Sequence, residues 1–358
     1  MEKIVEIIEE MQEEINSIEF KFDYRVRVED FSCTKNLLQF PVIVKFVLSS
    51  IKSTLDCEIE HYFGIDSSLG GKVSGAAISK ARSKVKSEAF EHLLLKESEL
   101  IGREKTMKGY EILGVDGMDF ELPRTAELME KYAVEKSGYP MASTIAIFDV
   151  LNKVFVRGSF SQSPANERAE AQSLIKLMDE DRAQIFLFDR GFPSLSLIQE
   201  LIESEKKFLM RCSKSFLREV DEFRLSDETD KVISIDYTAR RAQTSRVSGV
   251  TLPFHFVLRC VKIELSSGET EILITNLSQE EFSTDEMGEL YFMRWGIETG
   301  FNHLKNAVHL ETFLGKTENS IKQEFFASLI IYNLCLAMVS QAQVIADVSA
   351  SKKNFNTK

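Results

Sequence analysis

One short segment constrains the fold of this 358-residue chain more than any other. The sequence QIFLF, residues 184–188, is almost continuously apolar, and Asp189 and Gly191 end the run. A strand that is buried on both faces of a sheet has this pattern, because neither face can carry polar side chains. A helical pattern, SLSLIQELIESE, and a second strand pattern, KFLMRC, follow it. The order of strand, helix and strand predicts an α/β core.

The hydrophobic period changes along the chain and indicates its domain organisation. The N-terminal part has helical patterns, interrupted by the glycine- and serine-rich turn GIDSSLGGKVSG. From Tyr110 the period becomes strand-like, and helices resume at Thr284. We therefore predict a helical region at 1–105, an α/β domain at 106–340 with a β-rich insertion at about 215–280, and a C-terminal tail at 341–358.

The sequence is typical of a cytoplasmic protein. The N-terminal segment MEKIVEIIEEMQEEINSIEF is an acidic amphipathic pattern without a basic region or a cleavage site, so we expect no signal peptide. The apolar segment FFASLIIYNLCLAMV is short for a membrane span and contains Ser328, Tyr332 and Asn333, which favours a buried helix. Five scattered cysteines without a CxxC pair predict reduced thiols and argue against structural zinc.

The net charge lowers the expectation of a nucleic-acid partner without excluding it. The formal net charge is −12 at pH 7, whereas DNA binding needs clustered cations. Net charge averages over the whole surface, however, and an acidic protein can still carry a basic groove.

Two aspartates lie within or directly after strand patterns. Asp189 follows the buried strand at its C-terminal end, where open α/β sheets bind their ligands. Asp116 lies in GVDGMDF. A buried carboxylate needs a partner or a metal ion, because desolvation is costly. The alternative is that both are turn aspartates. Asp119 competes with Asp116, but its opposite strand parity directs it to the other face of the sheet.

The segment YFMRWGIETGFNHLK, residues 291–305, predicts one helix with an unusual polar face. At about 100° per residue, four side chains fall within about 60° of one another, with Trp295 beside them: Tyr291, Arg294, Glu298 and Lys305. A solvated face with an Arg294–Glu298 pair is the alternative, although such a face seldom carries both a tyrosine and a tryptophan.

The two aspartates and Glu298 together have the chemistry of a two-metal site. Hard divalent cations such as Mg²⁺ bind oxygen ligands, and a pair of ions can activate an attacking oxygen and stabilise a leaving one. The cations Arg294 and Lys305 suit phosphate. Tyr291 and Trp295 offer hydrogen-bonding and stacking surfaces for nucleotides.

These motifs resemble those of a known family. The pattern Y-x2-R-x3-E-x6-K, at residues 291–305, is similar to the signature of the bacterial insertion sequence 4 family of DDE transposases. VDGMDFELP and FLFDRGF resemble the segments that carry its first and second aspartates, and ISKARSKVKSEAF resembles its N-terminal helical region. The resemblance covers roughly residues 35–335.

The resemblance implies a ribonuclease-H-like mixed sheet flanked by helices, with a β-rich insertion and an N-terminal helical DNA-binding domain. It implies that Asp116, Asp189 and Glu298 are catalytic ligands of Mg²⁺, for which Mn²⁺ could substitute. The residues expected to contact DNA are Tyr291, Arg294, Lys305, Trp295, Arg190, Lys80, Arg82 and Lys84. For the last three, which lie in ISKARSKVKSEAF, a solvated helix is the alternative reading. Arg240 and Arg241, in TARRAQ, form a further basic spot.

The function implied is that of an insertion-sequence transposase. Such an enzyme binds the double-stranded inverted-repeat ends of the transposon, cleaves DNA with metal-activated water, and joins the 3′-hydroxyl to target DNA. We expect a homodimer in the DNA complex, in the bacterial cytoplasm and on the nucleoid when bound to DNA, with no membrane partner. The alternatives are a catalytically silent or domesticated DNA-binding protein, including a shortened copy, and a stand-alone metal-dependent nuclease.

Overall fold

The computed structural model of the protein describes most of the chain. The described residues are 2–33, 36–50, 52–64, 73–134, 138–213, 216–238, 250–264 and 268–355. Arg240 and Arg241 lie outside them. Within the described part, helices and strands form a mixed α/β structure with a single large sheet.

The N-terminal region is helical. Its helices are α1 (Glu2–Asn16), α2 (Ile18–Tyr24), α3 (Phe40–Leu48), α4 (Leu55–Gly64), α5 (Gly75–Arg82) and α6 (Glu88–Ile101). Ser17 and Ser74 cap α2 and α5, because each hydroxyl accepts a hydrogen bond from a backbone N–H of the first turn. The apolar face of α1 contacts α3 and α6, and Phe90, Leu93 and Leu94 of α6 are fully buried.

Nine strands form one sheet within the described residues. They are β1 (Glu111–Glu121), β2 (Met141–Asp149), β3 (Val154–Gly158), β4 (Ser161–Gln162), β5 (Gln184–Phe188), β6 (Lys207–Cys212), β7 (Asp230–Tyr237), β8 (Phe254–Glu264) and β9 (Thr270–Thr275). Their order is β3-β2-β1-β5-β6-β9-β8-β7, and β4 pairs with β2. Strands β1, β5 and β6 are parallel and β2 is antiparallel to β1, which is the ribonuclease-H-like arrangement that was expected.

The central strand β5 has the character that its sequence predicts. All five of its residues are buried, and β1 and β6 pair with it on either side. Helices cover the sheet: α7 (Ala126–Tyr132), α8 (Glu167–Lys176), α9 (Leu195–Glu203), α10 (Arg218–Leu225), α11 (Thr284–Phe292), α12 (Trp295–Asn306) and α13 (Glu318–Phe355). An apolar run between two parallel strands is therefore a sound indicator of an α/β core.

The β-rich segment extends the core sheet. Strand β9 pairs antiparallel with β6, from Leu209↔Thr275 to Cys212↔Ile272, and β8 and β7 continue outward from β9. The inserted strands and the strands of the α/β core consequently belong to one hydrogen-bonded sheet.

Helix α13 extends beyond the domain boundary predicted at 340. It continues to Phe355, through the expected boundary at 340, so the backbone of the predicted tail is helical to that residue. The part Glu318–Gln343 passes a length and composition test for a membrane span, with a mean hydropathy of 1.7. Core helices of soluble proteins pass the same test. Its polar residues Gln323, Glu324 and Asn333 are buried on protein partners, which favours the core helix expected from the sequence.

A buried ion pair joins α13 to the N-terminal region. The Arg82 Nη1 atom lies 2.8 Å from Glu324 Oε1, and both side chains are less than a tenth exposed. Arg82 also donates to Gln323 and to the Ser320 carbonyl oxygen. The expectation that Arg82 contacts DNA is therefore wrong in this structure: its guanidinium faces the protein interior, where Glu324 requires a cation.

We predict that Arg82→Ala lowers the free energy of unfolding by about 3–5 kcal/mol, because Glu324 is left buried without its counter-charge. Urea denaturation monitored by circular dichroism measures this change. Lys80→Ala is the matched control on the same helix, since Lys80 is exposed and its loss should cost less than about 0.5 kcal/mol. Equal denaturation midpoints for the two variants would contradict the structural role of Arg82.

Candidate active site

The structure brings Asp116 and Asp189 together at one edge of the sheet. Val115 pairs with Phe188 in the parallel register of β1 and β5, so the two aspartates, which are the next residues, lie side by side. Asp119 is exposed and accepts a hydrogen bond from the Ser143 hydroxyl. Of the two candidates on β1, Asp116 is thus the one that belongs to this cluster.

Helix α12 packs across the face of β1 and carries the third carboxylate, that of Glu298. Ile297 lies only 3.3 Å from the point where a Cβ atom of Gly114 would be, and Glu298 is the next residue. Two glycines one turn apart on α12 permit this approach. A Cβ atom at Gly296 would lie 3.2 Å from Val150, and one at Gly300 would lie 3.0 Å from Phe155. The absence of side chains at both positions lets the helix pack closely on the sheet.

The predicted continuous helix at 291–305 is interrupted. Helix α11 ends at Phe292 and α12 begins at Trp295, with Met293 and Arg294 in a turn between them. Arg294 keeps helical dihedral angles, with φ −52° and ψ −34°. The side chains of Tyr291, Arg294 and Glu298 still meet at the cluster.

Arg294 lies at the centre of the cluster. Its Nη1 atom is 3.3 Å from Asp116 Oδ2, its Nη2 atom is 2.7 Å from Glu298 Oε1, and its side chain is 2% exposed. Burial raises the pKa of the Asp116 carboxyl to about 6; the Gly117 N–H and the Arg294 charge oppose this shift, and the charges of Glu298 and Asp189 add to it. Burial is thus the main reason that the Asp116 carboxyl holds its proton more readily than an exposed aspartate does.

Tyr291 positions the remaining carboxylate. Its hydroxyl donates to Asp189 Oδ1 across 3.2 Å. Burial raises the pKa of the Tyr291 phenol, so the hydroxyl keeps its proton and remains a donor at neutral pH.

Comparisons with known proteins identify the family of this chain. The transposase DDE domain family model matches residues 107–334, which include all three carboxylates. The chain belongs to this family. The resemblance to DDE transposases read from the sequence is thereby confirmed.

Several transposases are similar to this member of the transposase DDE domain family. The transposase InsG for insertion sequence element IS4 of Escherichia coli (strain K12) is 23% identical over 277 residues, which are 73% of this chain and 60% of InsG. A probable transposase for element IS5377 of Geobacillus stearothermophilus is 23% identical over 173 residues, or 48% of this chain and 44% of that protein. The chain thus spans about half of these relatives' length.

A solved structure is also similar. It is the piggyBac transposase synaptic complex with hairpin DNA. The structural alignment covers 93% of this chain and 75% of the piggyBac chain, with 13% sequence identity and a TM-score of 0.47.

The donor chemistry of this transposase-family site fits a hard divalent cation. Three carboxylates lie near one another, and a cation would offset both the burial that chiefly raises the pKa of Asp116 and the smaller effect of the charges of Glu298 and Asp189. Among the described residues, no group of three or more His, Cys, Asp or Glu side chains is close enough together to hold a metal ion. In this site, Arg294 lies between Asp116 and Glu298 and keeps their carboxylates apart. The carboxylate oxygen atoms suit Mg²⁺, but in this structure those of Asp116 and Glu298 are separated by the guanidinium group that binds both.

The other residues predicted to contact DNA divide into two groups. Near the carboxylates, Trp295 is half exposed, and Lys305 donates to the Asp119 carbonyl oxygen at 3.1 Å. Arg190 is exposed beside Asp189. Lys80 and Lys84 line a separate cavity of about 320 Å³ in the N-terminal region, which includes none of the three carboxylates.

Sequence reasoning missed Arg211. Its Nη1 atom lies 3.6 Å from Asp189 Oδ1, and its Nη2 atom contacts Glu271. The signal was present in KFLMRC: a strand parallel to β5 must bring its own C-terminal end beside Asp189, and Arg211 is the charged residue there.

We predict that Gly300→Ala lowers the free energy of unfolding by about 1–3 kcal/mol, because the added methyl group meets the rings of Phe148 and Phe155, both buried. Helix propensity alone would give a gain of about 1 kcal/mol. Gly288→Ala on α11 is the matched control, since its nearest neighbour, Ile263, lies at an ordinary 3.7 Å. Chemical denaturation should give the highest free energy of unfolding for G288A, an intermediate value for wild type and the lowest for G300A. A stabilised G300A would refute the close packing of α12.

Proposed function

We propose that this chain is the transposase of a bacterial insertion sequence, which binds the ends of its element and catalyses metal-dependent DNA strand cleavage and strand transfer. The observation that supports this proposal is the convergence of Asp116, Asp189 and Glu298 in a member of the transposase DDE domain family. A DNA-binding protein that had lost catalysis would not need three carboxylates held together against their mutual repulsion.

In this proposal the three carboxylates hold Mg²⁺, for which Mn²⁺ substitutes. A bound divalent ion would supply Lewis-acid stabilisation of the charge that develops during phosphoryl transfer. Tyr291 keeps Asp189 oriented by its hydrogen bond, and α12 holds Glu298 against β1. Arg294 is the internal counter-charge that allows the carboxylates to remain close together. The contribution of the chain is thus to position groups and to stabilise charge.

The proposed partner is double-stranded DNA, as transposon ends and as target. Lys305, Trp295 and Arg190 are the residues of the site that reach the surface and would contact phosphates and bases. Contact between Arg294 and DNA, as the sequence predicts, would require the guanidinium to leave its two carboxylates. Lys80 and Lys84 would form a second contact in a DNA-binding region at 1–105. We also propose a homodimer in the DNA complex, acting in the bacterial cytoplasm and on the nucleoid.

We predict that Glu298→Gln abolishes strand cleavage while leaving affinity for the transposon end nearly unchanged, because the amide keeps the size of the side chain but removes a charge that Mg²⁺ requires. A gel shift and a Mg²⁺-dependent nicking assay on the same labelled fragment measure both properties. The fragment is chosen from inverted repeats that flank the gene. Wild-type protein that binds this end but does not nick it in the presence of any divalent ion tested would establish the silent alternative.

We predict that Lys305→Ala weakens DNA binding and lowers the slope of log affinity against log salt by about one, because one phosphate contact is lost. Cleavage should recover in part at high protein concentration, since the three carboxylates are intact. Lys231→Ala is the matched control, because Lys231 is half exposed on the edge strand β7, four strands away from β5. Identical salt slopes for K305A and K231A would exclude Lys305 from the DNA interface.

A further inference from the structure

A basic cavity of about 730 Å³ opens beside the carboxylate cluster. Three arginines line it, together with Gly191, Cys212, Ser213, Thr270 and two glutamates. The arginines are Arg190, Arg211 and Arg224. No motif of the sequence predicted the participation of Arg211 or Arg224.

Strand geometry places this cavity next to Asp189. Phe188 of β5 pairs with Met210 of the parallel strand β6, so Asp189 and Arg211 follow at the same edge of the sheet. Arg190 and Gly191 continue the chain from Asp189 into the cavity wall. A ligand bound here would be continuous with one bound at the carboxylates, because both sites use the C-terminal ends of parallel strands.

Neighbouring groups hold two of the arginines in place. Glu271 contacts Arg211 Nη2, while Arg211 Nη1 extends toward Asp189 at 3.6 Å. Arg224 Nη2 donates to the Ser213 carbonyl oxygen across 3.2 Å. The Nε atoms of both arginines are buried without a hydrogen-bond partner among the described residues. Fixing an arginine in advance reduces the entropy that a ligand must overcome when it binds.

The third arginine is available for an external anion. Arg190 is exposed, and within the described part of the chain it has no ion pair or hydrogen bond. Glu269 and Glu271 also line the cavity, and Glu271 anchors Arg211. Asp221 lies 3.8 Å from Arg224 Nε. Arg190 is thus the arginine of this cavity that has no acidic partner within ion-pair distance among the described residues. A guanidinium fork matches the oxygens of a phosphate group better than any other common anion except a carboxylate.

We propose that this cavity binds a backbone phosphate of the DNA strand that runs past the carboxylates, through Arg190, Arg211 and Arg224. The inference rests on the proposed function and deepens it, because it assigns a phosphodiester subsite outside the signature helix. Arg211 links the two sites: it lies beside Asp189 at one end and faces the cavity at the other. A DNA strand bound in this cavity would pass the carboxylates on the side of the β-rich insertion, because β9 supplies Thr270 and Glu271 to the cavity wall.

Phosphate-neutralisation interference tests the proposal. Single phosphates of the labelled end fragment are replaced in turn by uncharged methylphosphonates, and the affinity of each fragment is measured with the full-length chain. For wild type we expect about a tenfold loss at the linkage held by the cavity. For Arg224→Gln the same replacement should cost less than about twofold, because the interaction is already lost and the two changes are coupled.

Two further variants complete the design. Arg190→Gln should remove interference at the same linkage, and it cannot unfold the protein through a lost internal contact because Arg190 has none among the described residues. Arg218→Gln is the matched control: it removes the same charge from the same helix, but Arg218 is on the surface, paired with Glu222. R218Q should show the wild-type interference pattern.

The outcomes separate this inference from the proposed function. Wild-type interference patterns in both R224Q and R190Q, in a protein that binds and nicks the end, would overturn the cavity assignment alone. A wild-type chain that binds no end fragment would overturn the proposed function and this inference together. Loss of one shared linkage in R224Q and R190Q, with R218Q unchanged, would establish the subsite.

Discussion

The site depends on one buried guanidinium between two acidic side chains. Arg294 is almost completely removed from solvent, a state that is costly for a cation unless anions accompany it. Asp116 on β1 and Glu298 on α12 are those anions, and each would in turn be destabilised by the other without the arginine. The bridge therefore fixes the position of a helix on a strand through electrostatics, while the glycines of α12 provide the room for it.

The sequence predicts those features that are local or that result from a strand's environment. The apolar run of β5 identifies the central strand, and with it Asp189, because only a doubly covered strand tolerates such a run. The contact of Arg294 with Glu298, which the sequence offered only as part of the alternative solvated face, follows from their spacing of four residues. These predictions need no knowledge of how distant segments pack.

The features that the sequence did not predict depend on long-range contacts. Whether Arg82 faces solvent or protein is decided by Glu324, more than two hundred residues further along the chain. The pairing of β6 with β9 makes the insertion part of the core sheet. The alternation of apolar and polar residues identifies each segment as a strand, but it does not show which two strands pair. The break between α11 and α12 at Met293 could not be predicted, because no proline or side-chain cap marks it in the sequence.

Helix α13 also determines how the molecule unfolds. It contacts α3 and α6 of the N-terminal region as well as β3 and α12 of the sheet, and Asn333 bonds both backbone groups of Phe155. Elements that share a buried helix lose their packing together, so the helical region and the side of the sheet that faces α13 form one hydrophobic core, while the sheet also has clusters that the helical region does not reach. The mechanical consequence is stiffness: α3 or α6 cannot shift without disturbing the packing of β3, which lies two strands away from β1, the strand that carries Asp116.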